Sequence, residues 1–308
     1  MGCTFKTLRV VYGDFTLGVH GEGFDYIFSY AQGGLESLVK NGYEWLYRCP
    51  KPTFWRATTD NDRGSKFHIK SGSWLAADMF IECKDVEVIT DGKSQGKPCA
   101  PENNKYGGDV FAENVIVKYV YETITTPATT VEVVYSVDNK GKIAVNVSYK
   151  GAKGLPQLPV FGLRFIMPTL ADKYTYEGLS GETYPDRMAG AEKGIFEIDN
   201  ISLTNYLVPQ ECGMRMGTEW LEVTRHTSLN NCRKGNSNQI LRIEKKDKGF
   251  AFSCLPYTAS EIENATHHEE LPPARRTVLC IYGAVRGVGG IDSWGSDVEE
   301  AYHISAED

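Results

Sequence analysis

Apolar and polar residues alternate along most of the chain in short runs that are separated by Gly, Asp and Asn. A period of two places successive side chains on opposite faces of a strand, so each run predicts a half-buried β-strand. The clearest runs cover residues 7–12, 26–29, 86–90, 114–121, 130–137, 143–149, 159–167, 221–224, 240–244, 250–254 and 277–282. The pattern predicts an all-β fold, a large antiparallel sandwich of about 18 strands in two stacked sheets.

Local signals refine this prediction. The segment Asp138–Gly141 lies between two alternating runs, and Asn and Gly tolerate the positive φ of a tight turn, so the two strands should form a hairpin. Thr258 and Glu261 fit a capping box at the start of one short helix that continues over 262–265. Strands do not alternate with long helices, which excludes a TIM barrel. The polar stretch 91–109 is predicted to be a surface loop inside a single domain that spans 1–308.

Composition narrows the class of protein. With 41% hydrophobic and 24% charged residues in 308, the chain is typical of a globular protein. The net charge is −7 and the basic residues are scattered, so we expect neither nucleic acid nor a membrane as a partner. Eight cysteines without a Cys-x-x-Cys pair indicate reduced structural thiols. No signal peptide is recognisable at the N-terminus, and we expect a cytoplasmic protein.

The densest cluster of candidate functional residues is Phe54–Gly64, where aromatic and charged residues adjoin three turn formers. Asp60 and Asp62 are plausible acceptors for sugar hydroxyls or ligands for a cation. The alternative is an elaborate turn in which these aspartate side chains bind nearby backbone amides. The polar residues 65–73 that follow Gly64, up to Trp74, suggest a lid over a sugar pocket as a further hypothesis.

The segment Gly178–Arg187 contains Glu182 and Asp186, two carboxylates that could serve in general acid–base catalysis. Its spacing does not favour that interpretation, because a loop sequence cannot show the separation of two carboxyl groups. A buried pair between Arg187 and a carboxylate that fixes the loop is the favoured prediction.

A second polar cluster contains His267 and His268, followed by Glu269 and Glu270. Imidazole and carboxylate are metal ligands, but adjacent histidines face apart and no third ligand follows at zinc spacing. We predict surface or loop-fixing histidines.

A glycine-rich segment, Gly287–Gly295, surrounds the single residue Trp294. An indole packs well on the C–H face of a pyranose, and Asp292 could accept hydrogen bonds from sugar hydroxyls. The alternative is a core tryptophan that pins a glycine turn. The segment is therefore a candidate sugar-binding loop with Trp294 and Asp292 as its contact residues.

Four motifs, taken in chain order, resemble the C-terminal domain of the β-galactosidases of glycoside hydrolase family two; they lie at residues 54–64, 181–187, 208–215 and 289–294. The resemblance covers nearly the whole chain. Some bacteria encode this domain as a separate small chain that begins near the segment Val10–Val19, and the start at Met1 suggests a separate gene product. Relatives usually continue with one more strand beyond Asp308, so we expect either an exposed terminal sheet edge or a truncated chain.

The resemblance implies a galactose-mutarotase-like supersandwich that packs on a large chain. That large chain would carry the TIM barrel, both catalytic glutamates and the magnesium and sodium sites, which leaves no catalytic residue, metal or cofactor on this chain. It further implies that Trp294 stacks on the sugar and that Gly64 opens a flexible loop at the same active site. Asp60, Asn61 and Asp62 would then shape that loop.

The function that we expect is hydrolysis of terminal β-galactosides such as lactose by a two-chain enzyme, in which this chain is silent alone. The first rival is a self-contained aldose mutarotase or epimerase, which needs an acid–base His and Glu in one concavity. The histidines His226, His267 and His303 are far apart in the sequence. The second rival is a carbohydrate-binding module without an enzyme partner. For the surface that meets the large chain, an aromatic patch with Trp74 or Trp220 is a guess.

Overall fold

The computed structural model describes residues 7–100, 110–230 and 238–307. Twenty strands lie in this part of the chain. They are β1 Leu8–Tyr12, β2 Thr16–Gly21, β3 Phe24–Ser29, β4 Gly34–Lys40, β5 Tyr43–Glu44, β6 Arg48–Thr53, β7 Glu82–Thr90, β8 Lys93–Gly96, β9 Val110–Ala112, β10 Asn114–Glu122, β11 Thr130–Asp138, β12 Ile143–Lys150, β13 Val160–Met167, β14 Lys173–Leu179, β15 Lys193–Ile198, β16 Arg215–Thr218, β17 Trp220–Arg225, β18 Gln239–Glu244, β19 Phe250–Leu255 and β20 Thr277–Val285. The helices are α1 Asp60–Gly64, α2 Phe67–Lys70 and α3 Ala259–Glu263.

The chain divides into two compact units, each of which is described by itself. The first takes its described residues from 1–50, 81–124 and 128–150, and the second from 51–80, 125–127 and 151–308. The organisation as one domain stays a prediction.

The first unit is a sandwich of a six-stranded sheet, in the order β5-β4-β3-β2-β1-β9, and a five-stranded sheet, in the order β12-β11-β10-β7-β8. Every second residue of β10 and β11 is buried, as the alternating sequence requires. Tyrosines join the two sheets. The hydroxyl of Tyr26 donates to the carbonyl of Gly141 at 2.6 Å, and that of Tyr121 donates to the carbonyl of Gly33 at 2.7 Å.

The second unit is also built from two sheets, in the orders β16-β19-β20-β13-β6 and β15-β14-β17-β18. Tyr174 and Tyr176 of β14 pack edge-on against Phe252 of β19, with ring centroids 5.5 and 5.3 Å apart, so the core of this unit lies between the two sheets. Strand β20 lies in the interior of the first of these sheets, and the glycine-rich segment follows directly after it.

The prediction of an all-β antiparallel fold is confirmed, since β10 and β11, or β13 and β20, run antiparallel along their full lengths. The predicted hairpin is also confirmed: β11 pairs with β12, and Gly141 adopts a φ of 76° in the turn. The predicted capping box begins α3, where the carboxylate of Glu261 accepts from the amide of Thr258 at 2.7 Å.

Two expectations were wrong in detail. The sequence predicted one helix, whereas α1 and α2 also form in the described chain, because Thr59 and Asp62 build a second capping box at the start of α1. Residues 93–96 form β8 and not a loop, since the turn at Asp91 and Gly92 returns the chain to pair with β7. The part of the predicted loop at 101–109 lies outside the described residues.

Candidate functional site

The glycine-rich segment forms a loop of residues 286–296 in which we distinguish a stem, Arg286–Gly289, from a tip, Gly290–Ser296. The side chain of Trp294 is 92% exposed, which is evidence against a core tryptophan. Asp292 accepts from the backbone amides of Trp294 at 2.9 Å and Ser296 at 3.2 Å. The hydroxyl of Ser296 also donates to this carboxylate, and together these bonds lower the pKa of Asp292. Asp292 therefore shapes the tip, and Trp294 projects from it.

Helix α1 lies against this loop. The side-chain amide of Asn61 donates to the carbonyl of Val288 in the stem at 3.0 Å. A Cβ atom added to Gly290 would lie 2.7 Å from Asn61 Nδ2, and one added to Gly295 would lie 2.9 Å from the carbonyl oxygen of Gly64. Since both glycines also have a positive φ, their positions have no room for a side chain. The structure thus brings together the two segments that the sequence identified separately.

Local hydrogen bonds explain why α1 begins where it does. Thr59 Oγ1 accepts from the amide of Asp62 at 3.0 Å, and Asp62 Oδ2 accepts from the amide of Thr59 at 3.1 Å. These are the two reciprocal bonds of a capping box, and the spacing Thr-x-x-Asp in the sequence was a signal for it.

Asp62 also forms a buried ion pair with Arg56. Arg56 Nη2 lies 3.1 and 3.2 Å from the two carboxylate oxygens, and the two side chains are 1% and 2% exposed. The same guanidinium donates to the carbonyl oxygens of Arg286 at 2.7 Å and Gly287 at 2.8 Å. Burial alone would lower the pKa of Arg56, but nearby Asp62 and Glu211 raise it, so the cation persists. Asp62 therefore holds the Arg56 guanidinium in place. Arg56, which was not among the predicted site residues, fixes the backbone of the stem.

Asp60 occupies a more open position at the first residue of α1. Its carboxylate accepts from Arg63 at 3.1 Å and from Gln210 Nε2 at 3.3 Å, while its amide donates to Gln210 Oε1 at 2.8 Å. Both aspartates thus bind protein donors, which supports the alternative of an elaborate turn.

The motif at residues 181–187 also reaches the stem. Asp186 accepts from the amide of Val288 at 2.9 and 3.0 Å and from the amide of Gly289 at 2.7 Å, and Arg187 donates to the carbonyl of Gly289. The predicted buried pair between Arg187 and a carboxylate is wrong: Arg187 donates to a backbone carbonyl, so it holds the glycine-rich loop through the main chain. Glu182 accepts a hydrogen bond from Thr204 instead.

His267 and His268 lie at the surface and bind nearby loop residues, as predicted. His267 Nδ1 lies 3.0 Å from Glu270 Oε1, and His268 Nε2 lies 2.5 Å from the carbonyl of Tyr206. His226 contacts Asp172 at 2.6 Å, and His303 lies 2.8 Å from the carbonyl of Val298. Within the described residues, no group of three or more His, Cys, Asp or Glu side chains is arranged to hold a metal ion.

The segment proposed as a lid forms α2 and a 3-10 turn at Gly72–Trp74. Phe67 is buried, with the guanidinium carbon of Arg286 3.7 Å above its ring. Trp74 is fully buried and donates to the carbonyl of Pro156 at 3.0 Å, so the guess that it belongs to an exposed interface is wrong. Trp220 is half-buried and donates to Glu177 at 2.7 Å. The lid stays a prediction.

A buried carboxylate lies behind Arg56. Glu211 lines a small cavity of about 20 Å³ together with Arg164 and Ser253, and its Oε1 finds no hydrogen-bond partner among the described residues. Burial raises the pKa of Glu211 to about 8, although Arg56 opposes this shift. Burial therefore favours the protonated form of Glu211, which the sequence alone did not indicate.

Two further findings concern membrane-spanning helices and the state of the cysteines. Among the helices that the structure describes, none has the length and apolar character needed to cross a bilayer. Cys212, Cys254 and Cys280 are buried and free, and burial raises the pKa of their thiols to about 12, 12 and 11. These three are inert structural thiols, as predicted. Cys3 and Cys232 lie outside the described residues.

Comparison with known proteins gives consistent matches. Residues 20–308 match a family model described as the β-galactosidase small chain. The chain is 59% identical over 306 residues to the β-galactosidase small subunit of Latilactobacillus sakei, a match that covers 99% of this chain and 96% of that protein. It is 35% identical to a β-galactosidase of Halalkalibacterium halodurans and 32% identical to one of Streptococcus thermophilus. These two matches cover 97% and 98% of this chain but only 27% of each relative.

Proposed function

Because this chain belongs to the β-galactosidase small-chain family, we propose that it is the small subunit of a two-chain enzyme that hydrolyses terminal β-galactosides such as lactose. In this proposal a large subunit carries the catalytic glutamates and performs retaining double displacement. The small subunit completes the active site with Trp294 and is inactive alone.

The observation that carries the proposal is the exposure of Trp294, 92% of whose surface is open to solvent. An indole with this exposure buries little apolar surface within the chain, so its ring is free to contact a molecule outside it. Each residue of the stem beneath it is held by a side chain from another segment. A large flat ring at the end of a fixed loop suits stacking on the C–H face of a pyranose.

The length of the relatives supports a large partner. Since this chain matches only 27% of the two longer β-galactosidases, the rest of each relative is available for the catalytic machinery. Magnesium and sodium would belong to that large subunit, since Asp60 and Asp62 here bind protein donors. Reduced buried thiols suit a cytoplasmic enzyme.

The test is galactoside hydrolysis by this chain alone, by its large subunit alone and by the mixture. We expect activity only in the mixture and expect Trp294→Ala in the small chain to raise KM. Trp220→Ala is a matched control, since Trp220 is half-buried and bonded to Glu177 in β14. Hydrolysis or epimerisation by the isolated chain would contradict the proposal and favour a mutarotase. Sugar affinity of the isolated chain, without any effect on the large subunit, would favour a carbohydrate-binding module.

A further inference from the structure

Two successive backbone amides of the stem point at one carboxylate. Val288 N lies 2.9 and 3.0 Å from the two oxygens of Asp186, and Gly289 N lies 2.7 Å from Oδ2. Successive amides in this arrangement form a concave site for an anion. Here the anion belongs to the chain itself, 102 and 103 residues earlier in the sequence. The carboxylate thus fixes the direction in which the chain leaves the stem.

The packing around this carboxylate leaves little freedom. A Cβ atom added to Gly287 would lie 2.8 Å from Asp186 Cγ and 2.7 Å from Val298 Cγ1, so the stem backbone lies directly against the carboxyl group. The next residue, Arg187, donates to the carbonyl of Gly289. Both backbone polar groups of Gly289 are therefore held by consecutive side chains.

The turn that carries these side chains is itself fixed. The amide of Arg187 donates to the carbonyl of Tyr184 at 2.8 Å, and the amide of Tyr184 donates to the carbonyl of Arg187 at 3.2 Å. Beyond the clamp, Gly289 and Gly290 adopt φ values of 70° and 80°, and these bends lead the chain into the tip. The orientation of the tip thus depends on where the clamp holds Gly289.

We propose that Asp186 is a positioning residue for Trp294: its carboxylate holds the amides of Val288 and Gly289 and thereby sets the place of the indole at the active site. This inference rests on the proposed function, since it assigns Trp294 its contact with the sugar. Asp186 itself does not contact the substrate in this account. Its effect on catalysis passes entirely through the loop.

The test uses Asp186→Asn, which has the same shape but presents an NH₂ group to one of the two amides. Asp172→Asn is the matched control, because Asp172 is a partly buried aspartate whose partner is His226 and not the loop. The first readout is hydrogen exchange of the full-length chain, measured on peptides that cover residues 286–296. We expect exchange there to become at least about tenfold faster in Asp186→Asn and to stay unchanged in the control.

The second readout is steady-state kinetics after mixing with the large subunit. We expect Asp186→Asn to raise KM roughly tenfold, as misplacement of a binding group does. The double variant Asp186→Asn with Trp294→Ala should have the KM of Trp294→Ala alone, because Asp186 acts only through that ring. A residue that merely stabilises the fold would give additive losses instead.

Three outcomes separate the possibilities. Unchanged exchange in Asp186→Asn overturns the inference. Faster exchange with an unchanged KM also overturns it, provided that Trp294→Ala raises KM in the same assay. If Trp294→Ala has no effect on KM, the proposed function fails, and the exchange result alone decides whether Asp186 fixes the loop.

Discussion

In the stem of the loop, each of the four residues from Arg286 to Gly289 has a backbone group bound by a side chain from a distant segment. In the tip, the amides of Trp294 and Ser296 are bound by Asp292, a neighbour in the same loop. Asp186 is one of several side chains that hold the stem, whereas Asp292 alone binds these amides of the tip. The stem therefore fixes the position of the loop, and the tip leaves the indole exposed.

The largest effect should follow from removing the cation beneath the stem. Arg56→Met removes the nearer of two cations from buried Asp62, leaving Arg286 at 3.6 Å, and takes the donor from two stem carbonyls, so the free energy of unfolding should fall by about 3–5 kcal/mol. Arg56→Lys keeps the charge but loses the forked geometry, and it should fall between the wild type and Arg56→Met. Urea unfolding measures the free energy of unfolding of the wild type and of both variants.

The control for Arg56 is Arg63→Ala at the exposed pair with Asp60, which should cost less than about 1 kcal/mol. If the Arg56 and Arg63 variants lost the same free energy of unfolding, the buried ion pair would be no more important for stability than the exposed one.

The second effect concerns Glu211 behind Arg56. Burial raises its pKa from 4.5 to about 8, so between these values the folded chain holds a proton that the unfolded chain has released. Stability should therefore fall as pH rises from about 4.5 to about 8, with a slope of at most about 1.4 kcal/mol per pH unit. Glu211→Gln, which cannot ionise, should flatten this part of the curve.

Thermal unfolding across this pH range measures the effect of Glu211. Glu36→Gln, at an exposed position, is the control and should leave the slope unchanged. If Glu211→Gln has the slope of the wild type, the buried carboxyl group is already ionised in the folded chain.

The smallest effect on stability should come from the tip. Hydrogen bonds from Ser296 and from the amide of Trp294 lower the pKa of Asp292 below 3.8, so its ionised form is favoured in the folded loop. The order of the tip should be complete above this value and should be lost as pH falls through the lowered pKa.

Asp292→Asn should speed hydrogen exchange at Trp294 and Ser296 without a change in the unfolding midpoint, since the residue is exposed. Exposed Asp247→Asn serves as the control. A fall in the midpoint with Asp292→Asn would show that the tip supports the fold after all.

Features that depend on residues close together in the sequence could be predicted from it. Period-two alternation in β10 and β11 predicted paired strands because each face of a strand meets one environment. The capping box at Thr258 and the hairpin turn at Gly141 were equally local, and both are confirmed. Local spacing can reveal such features, and Thr59 with Asp62 would have revealed α1 in the same way.

The stem could not be predicted from the residues alone, because its partners lie far away in the sequence. Asp186 and Val288 are 102 residues apart, and Arg56 and Gly287 are 231 apart. The exposure of a side chain could not be predicted either: Trp74 and Trp294 both follow a serine in turn-rich segments, yet Trp74 is fully buried and Trp294 is 92% exposed. Only the tertiary packing distinguishes them.

The most direct test of the central claim is fluorine NMR of the small subunit labelled with 5-fluorotryptophan, assembled with an unlabelled large subunit. The five tryptophans should give five signals, and Trp294→Phe assigns the one of interest. On saturation with a non-hydrolysable thiogalactoside, we predict that the Trp294 signal shifts while those of the other four stay in place. A Trp294 signal that does not respond to the saturating sugar would contradict the claim that this ring contacts the substrate.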